Sequence, residues 1–82
     1  MVIPLNYIKR NQTAQIVWMA LPSETERRLA ALGFVPGETL SCVLRGPGSS
    51  MSAYRVQGRV IALRSTDANQ ILVKVLDDIR EN

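Results

Sequence analysis

Histidine is absent from this chain of 82 residues, cysteine occurs once, and the aromatic side chains are one Trp, two Tyr and one Phe. Without histidine, acid–base chemistry near neutral pH lacks its usual carrier, and no Ser–His or Cys–His pairing exists for nucleophilic catalysis. One cysteine cannot assemble a zinc or thiolate site on its own. Carboxylates remain as ligands for a hard cation, but Glu24 and Glu26 are two apart on an expected helix and do not face each other. Asp77-Asp78 reads as a solvated pair in a polar tail spanning Asp77 to Asn82. No bound metal, no cofactor and no enzymatic activity are therefore expected.

Other absences narrow the class further. No apolar run approaches the roughly 18–20 residues of a membrane span. Met1 to Ile8 is short, polar and without a basic start, unlike a signal peptide. Cys42 has no partner for an internal disulfide, which fits a reducing compartment. It alternates with Leu40 and Leu44 and reads as a small core hydrophobe. Gly46-Pro47-Gly48-Ser49-Ser50 has no following Lys or helix and reads as a hairpin loop rather than a phosphate cradle. Ten basic residues against seven acidic ones leave a formal charge of +3. These residues are scattered, and only Lys9-Arg10 and Arg27-Arg28 are adjacent. Nucleic-acid binding needs clustered charge interleaved with stacking aromatics, so it is not expected.

What is present is turn chemistry. In Leu29-Ala30-Ala31-Leu32-Gly33-Phe34-Val35-Pro36-Gly37-Glu38-Thr39-Leu40 a helix ends, the chain turns, and a strand begins. Gly33 stands where a helix stop needs positive φ, and Phe34 can fold back on the last turn. Pro36-Gly37 suits positions i+1 and i+2 of a type II turn. Ahead of this block, Pro22-Ser23-Glu24-Thr25-Glu26 reads as a helix start with Ser23 as cap and Glu26 completing a capping box. Leu29 and Leu32 supply the buried stripe of that short helix.

Strands are expected at Thr13 to Leu21, Thr39 to Arg45, Tyr54 to Gln57, Val60 to Arg64 and Ile71 to Leu76. Gly58-Arg59 fits a two-residue type II′ hairpin, and Gly46 to Ala53 reads as loop. Ser65 caps a single helical turn through Asn69. The opening Pro4-Leu5-Asn6-Tyr7-Ile8 reads as a turn that pins Leu5 and Ile8 to the core. The pattern points to a mainly β single domain: a small, partly open barrel of about five strands, one inserted helix and a one-turn helix before the last strand. Its expected core is Ile16, Leu29, Leu32, Phe34, Leu40, Leu44, Val56, Ile61, Leu63, Ile71 and Val73.

From about Leu5 to Val75 the sequence resembles the ferrous-iron transport protein A family (FeoA-like). The resemblance is carried by Leu29, Leu32, Gly33, Phe34, Pro36 and Gly37 in L-x-x-L-G-F-x-P-G, and by Val56-Gln57-Gly58-Arg59-Val60-Ile61-Ala62-Leu63-Arg64. Ala68, Ile71, Val73 and Val75 complete it. These motifs define a fold rather than an active site. Asn11 stands where the family often has glycine, and Val17-Trp18-Met19-Ala20-Leu21-Pro22 is more apolar than the family's usual connection into the helix.

The resemblance implies an SH3-like barrel and a small cytoplasmic accessory protein recruited to the inner face of the cell membrane. The implied partner is the membrane ferrous-iron transporter with a cytoplasmic G domain, which the protein would bind and assist or regulate without carrying iron or inserting into the membrane. The same barrel resembles the C-terminal domain of iron-dependent repressors, so a regulatory module is one alternative. A nucleic-acid-binding small barrel, motivated by the sequence pI near 9.6, is another.

The candidate contact residues come from the first strand. Strict alternation puts Ile16, Trp18 and Ala20 on one face and Val17, Met19 and Leu21 on the other, both apolar. A domain this small buries only about 60% of its unfolded surface. Burying all of Val17, Trp18, Met19 and Leu21 is not expected. With Arg27 and Arg28 beside them, they form the candidate surface for the partner or for another copy of the chain.

Overall fold

The computed structural model describes residues 1–76, so the expected polar tail from Asp77 lies outside the described residues. Six strands form one antiparallel sheet: β1 (Val2–Pro4), β2 (Thr13–Met19), β3 (Thr39–Arg45), β4 (Met51–Val56), β5 (Arg59–Arg64) and β6 (Ile71–Val75). Their order is β1-β6-β2-β3-β4-β5, so the sheet is not closed and β1 and β5 are its edges. Helix α1 (Ser23–Ala31) is inserted between β2 and β3, and α2 (Ser65–Ala68) is a single turn before β6. The mainly β architecture with two short helices is as expected. The sixth strand is not: β1 spans three residues, too few for a period-2 pattern. Its Pro4 is acceptable because an edge strand can spare an N–H.

The stop between α1 and β3 follows from its residues. Phe34 N–H bonds the Leu29 carbonyl and Gly33 N–H the Ala30 carbonyl, both at 3.0 Å, the double bond of a Schellman cap. Gly33 has φ +106°. Phe34 is then carried fully into the core, a burial contributing about 1.5–3 kcal/mol. Glu38 N–H closes on the Val35 carbonyl at 3.0 Å with Gly37 at φ +96°, which makes Val35–Glu38 the type II turn the sequence calls for. That turn is clipped to β2, since Gly37 N–H bonds the Ile16 carbonyl at 2.7 Å and Ile16 N–H bonds the Glu38 carbonyl at 2.9 Å.

Three local expectations are corrected. Ser23 is the first helical residue, Pro22 occupies the cap position, and no side chain caps α1, so the capping box does not form. Ser65 likewise lies inside α2 behind Arg64, its N–H committed to the Ser50 carbonyl at 2.8 Å. The β4–β5 turn is Gln57-Gly58, because Val56 pairs directly with Arg59. Gln57 at φ +52° and Gly58 at φ +77° give it type I′ character in place of II′. Asn11, too, is left-handed at φ +72°, which explains why glycine suits that position.

Two bulges redirect side chains. Between β2 and β6 the register runs Ile16↔Val73 and then Trp18↔Leu72, leaving Val17 as the extra residue. Between β3 and β4 it runs Cys42↔Tyr54 and then Leu44↔Ala53, with Val43 extra. A bulge places two successive residues where one belongs, so alternation is reset beyond it. Leu44, an expected core residue, is consequently 55% exposed. The core holds Leu5, Ile8, Ala14, Ile16, Met19, Leu29, Phe34, Leu40, Cys42, Tyr54, Val56, Leu63, Ala68, Ile71 and Val73, with Leu32 and Ile61 half-buried against it. Met51–Ala53 belongs to β4 rather than to the loop, which is correspondingly shorter than expected.

Candidate contact surfaces

Cys42 and Tyr54 face each other across β3 and β4 and are both buried. Burial pushes the Cys42 thiol up from its ordinary value, against the opposing influence of Arg45, a backbone hydrogen bond at Leu44 and Arg10. Burial pushes the Tyr54 phenol up as well, opposed chiefly by a hydrogen bond with Ser52. A thiol kept protonated and inaccessible packs rather than reacts. Among the described residues no three His, Cys, Asp or Glu side chains converge. No helix among them is long and apolar enough to cross a membrane. What these residues present to solvent is two apolar faces and one groove of mixed, largely polar lining.

The first is the outer face of β1, β6 and β2. Pro4, Leu72 and Trp18 stand opposite one another across these three strands. Cross-strand partners share a face, and Val73 and Ile71 on the alternate positions point inward. The bulge at Val17 puts both Val17 and Trp18 outside, 44% and 59% exposed, and returns Met19 to the core at 6%. Met19 is therefore corrected: its side chain is a core group and is withheld from any partner. Leu21 is half-buried and packs against the core. Arg27 and Arg28 are exposed on α1, but Arg28 lines a different groove, described below. Pro4 and Leu72 were missed, although an apolar residue at Leu72 between inward Ile71 and Val73 is itself a signal.

The second surface is the outer face of β3, β4 and β5, where Leu44, Ala53 and Ala62 stand in one row. With Gly46, Met51 and Ser52 they line a shallow apolar groove. The bulge at Val43 created it by turning Leu44 outward.

The third is a groove between α1 and β5. Thr25, Arg28, Leu29 and Leu32 line one wall, and the consecutive residues Ile61, Ala62, Leu63 and Arg64 line the other. Four successive strand residues can border one groove only along the strand's edge, because neighbouring side chains point to opposite faces.

Comparison with known proteins agrees with this geometry. Residues 3–75 match the family model described as the FeoA domain. The solution structure of a FeoA-like protein from Clostridium acetobutylicum is similar, with TM-score 0.85 and 25% identity over 99% of this chain and 94% of that one. Iron(II) transport protein A from Clostridium thermocellum superposes with TM-score 0.85 at 28% identity, over 90% of this chain and 46% of that one. A manganese-dependent transcriptional repressor shares the fold at TM-score 0.81 and 18% identity, over 92% of this chain and 42% of that one. No curated protein matches the sequence. With the family model spanning most of its length, the chain belongs to the FeoA domain family.

Proposed function

We propose that this protein is a small accessory protein of ferrous-iron uptake. It binds the cytoplasmic G domain of the membrane ferrous-iron transporter and assists or regulates that machine, without carrying iron itself. The observation that carries the reading is the FeoA domain match over residues 3–75, and the similar iron(II) transport protein A supports the pathway. The contact is assigned to the outer face of β1, β6 and β2, where Val17 and Trp18 are exposed beside Leu72. An exposed tryptophan on an apolar row fits the anchor of a protein interface. The repressor likeness supports the fold alone and adds no second reading.

The test is association of the purified protein with the transporter's isolated G domain, by calorimetry. Trp18→Ser should weaken binding by about tenfold or more, as loss of an aromatic anchor does, with the circular dichroism spectrum unchanged. Equal binding by the variant and the parent places the contact elsewhere, and absence of binding by the parent overturns the reading.

A further inference from the structure

We infer that the free edge of β5 is a strand-addition site that takes an extended, acidic segment of a partner protein. This assignment is independent of which surface meets the transporter.

The backbone carries the first part. Ser65 N–H bonds the Ser50 carbonyl at 2.8 Å, so residue 65 is in a hydrogen-bonded pair with β4's approach. Antiparallel pairs alternate between bonded and non-bonded. Leu63, Ile61 and Arg59 therefore direct their N–H and C=O groups toward β4, and Val60, Ala62 and Arg64 direct theirs away. β5 ends the sheet, and the outward groups of Val60 and Ala62 and the Arg64 N–H have no backbone partner among the described residues, the Arg64 carbonyl being taken up by the first turn of α2. An unpaired row of this kind is a template for another strand.

The side chains select the occupant. On the α1 side the groove offers half-buried Leu32 and Ile61 over buried Leu29 and Leu63. These suit apolar residues at alternate positions of an added strand. Arg28 and Arg64 line the same groove against Asp67 alone. Neither arginine side chain makes an ion pair or hydrogen bond among the described residues. Arg59 stands at the other end of the strand. A second copy fits poorly. Outward groups must meet outward groups, so the centred register sets Ala62 opposite Ala62 and Arg64 opposite Val60 of the other copy, and the seam gathers both copies' arginines without adding carboxylates to answer them. An acidic strand with apolar residues toward α1 sets its outward carboxylates beside Arg64, which shares the face of Val60 and Ala62, while Arg28 and Arg59 add positive charge to the same edge.

The test uses the isotopically labelled protein and two short acetylated peptides, one alternating valine with glutamate and one alternating valine with lysine. The glutamate peptide should move the amide signals of Val60, Ala62 and Arg64 in the protein's NMR spectrum, and the lysine peptide should bind about tenfold more weakly. Ala62→Pro removes an outward N–H without touching the β4 ladder, a substitution an edge strand tolerates. It should weaken the glutamate peptide about tenfold. Should that variant fail to fold, Arg28→Glu combined with Arg64→Glu decides the matter, by reversing the peptide preference. Equal binding of both peptides, no binding of the glutamate peptide, or shifts confined to other strands would overturn the assignment. So would concentration-dependent shifts of the same three amides without peptide, which would give the edge to a second copy.

Discussion

Gln57 fills the space beside Gly33: a Cβ on that glycine would meet the Gln57 Cδ at 3.0 Å. Gln57 also donates through Nε2 to Glu38 Oε1 at 3.1 Å. The end of α1, the β4–β5 turn and the start of β3 are thus joined at one point. Gly33→Ala should cost about 1–3 kcal/mol, since alanine is strained at φ +106° and must also displace Gln57. For a domain of this size that lowers the melting temperature by roughly 4–8 °C per kcal/mol. Adding Gln57→Ala should restore only the crowded part of the loss. An unchanged melting curve for the single variant would show that the helix stop does not depend on glycine.

Gly37 isolates the conformational part of the same cost. Nothing lies within 4 Å of a Cβ at this position, yet φ is +96°. Gly37→Val should therefore destabilise by about 1–3 kcal/mol through backbone strain alone. The check is urea unfolding, where the midpoint should fall while the slope stays constant. A midpoint equal to the parent's would mean the Val35–Glu38 turn relaxes freely.

These glycine positions were legible because the chemistry is local: a turn type demands a residue type within four positions. The strand at Thr39–Arg45 was legible for a related reason, its alternation of Leu40 and Cys42 with polar neighbours. The bulges at Val17 and Val43 were not, because each is a mismatch with a partner strand distant in sequence. That single kind of non-local feature moved Leu44 out of the core, moved Met19 into it, and split the candidate surface. The sequence pattern starts β4 late because Ser52, buried near the strand's beginning, resembles loop composition. The β5 groove was invisible for the same reason as the bulges: α1 and β5 are brought together only by the tertiary fold.

Alkaline pH should loosen the core. Burial raises both the Cys42 thiol, ordinarily 9.0, and the Tyr54 phenol, ordinarily 10.0. Each folded group holds its proton more tightly than the unfolded one. The stability this represents is full below the unfolded value and is lost as pH rises through the folded one. Melting temperature should thus be level from neutrality to about pH 8 and fall above about pH 9. Cys42→Val should flatten the first part of that fall. A decline that begins well below pH 8 would point to other groups.

Trp18 and Met19 are neighbours in sequence with opposite fates, and paired substitutions separate them. Met19 is 6% exposed and packs among core residues on the inner face of β2. Replacing it by serine removes a buried thioether and introduces a hydroxyl, a change expected to cost about 2–5 kcal/mol. Trp18 is 59% exposed, so Trp18→Ser should alter stability by about 0.5 kcal/mol or less, the usual range for surface changes. If the bulge at Val17 resets the strand as described, Met19→Ser melts far earlier than Trp18→Ser. Tryptophan fluorescence of the parent should be that of a solvent-exposed indole and shift little on unfolding. The reverse order of stabilities, or a large blue-shifted native emission, would restore strict alternation through Val17 and place Trp18 in the core with Ile16.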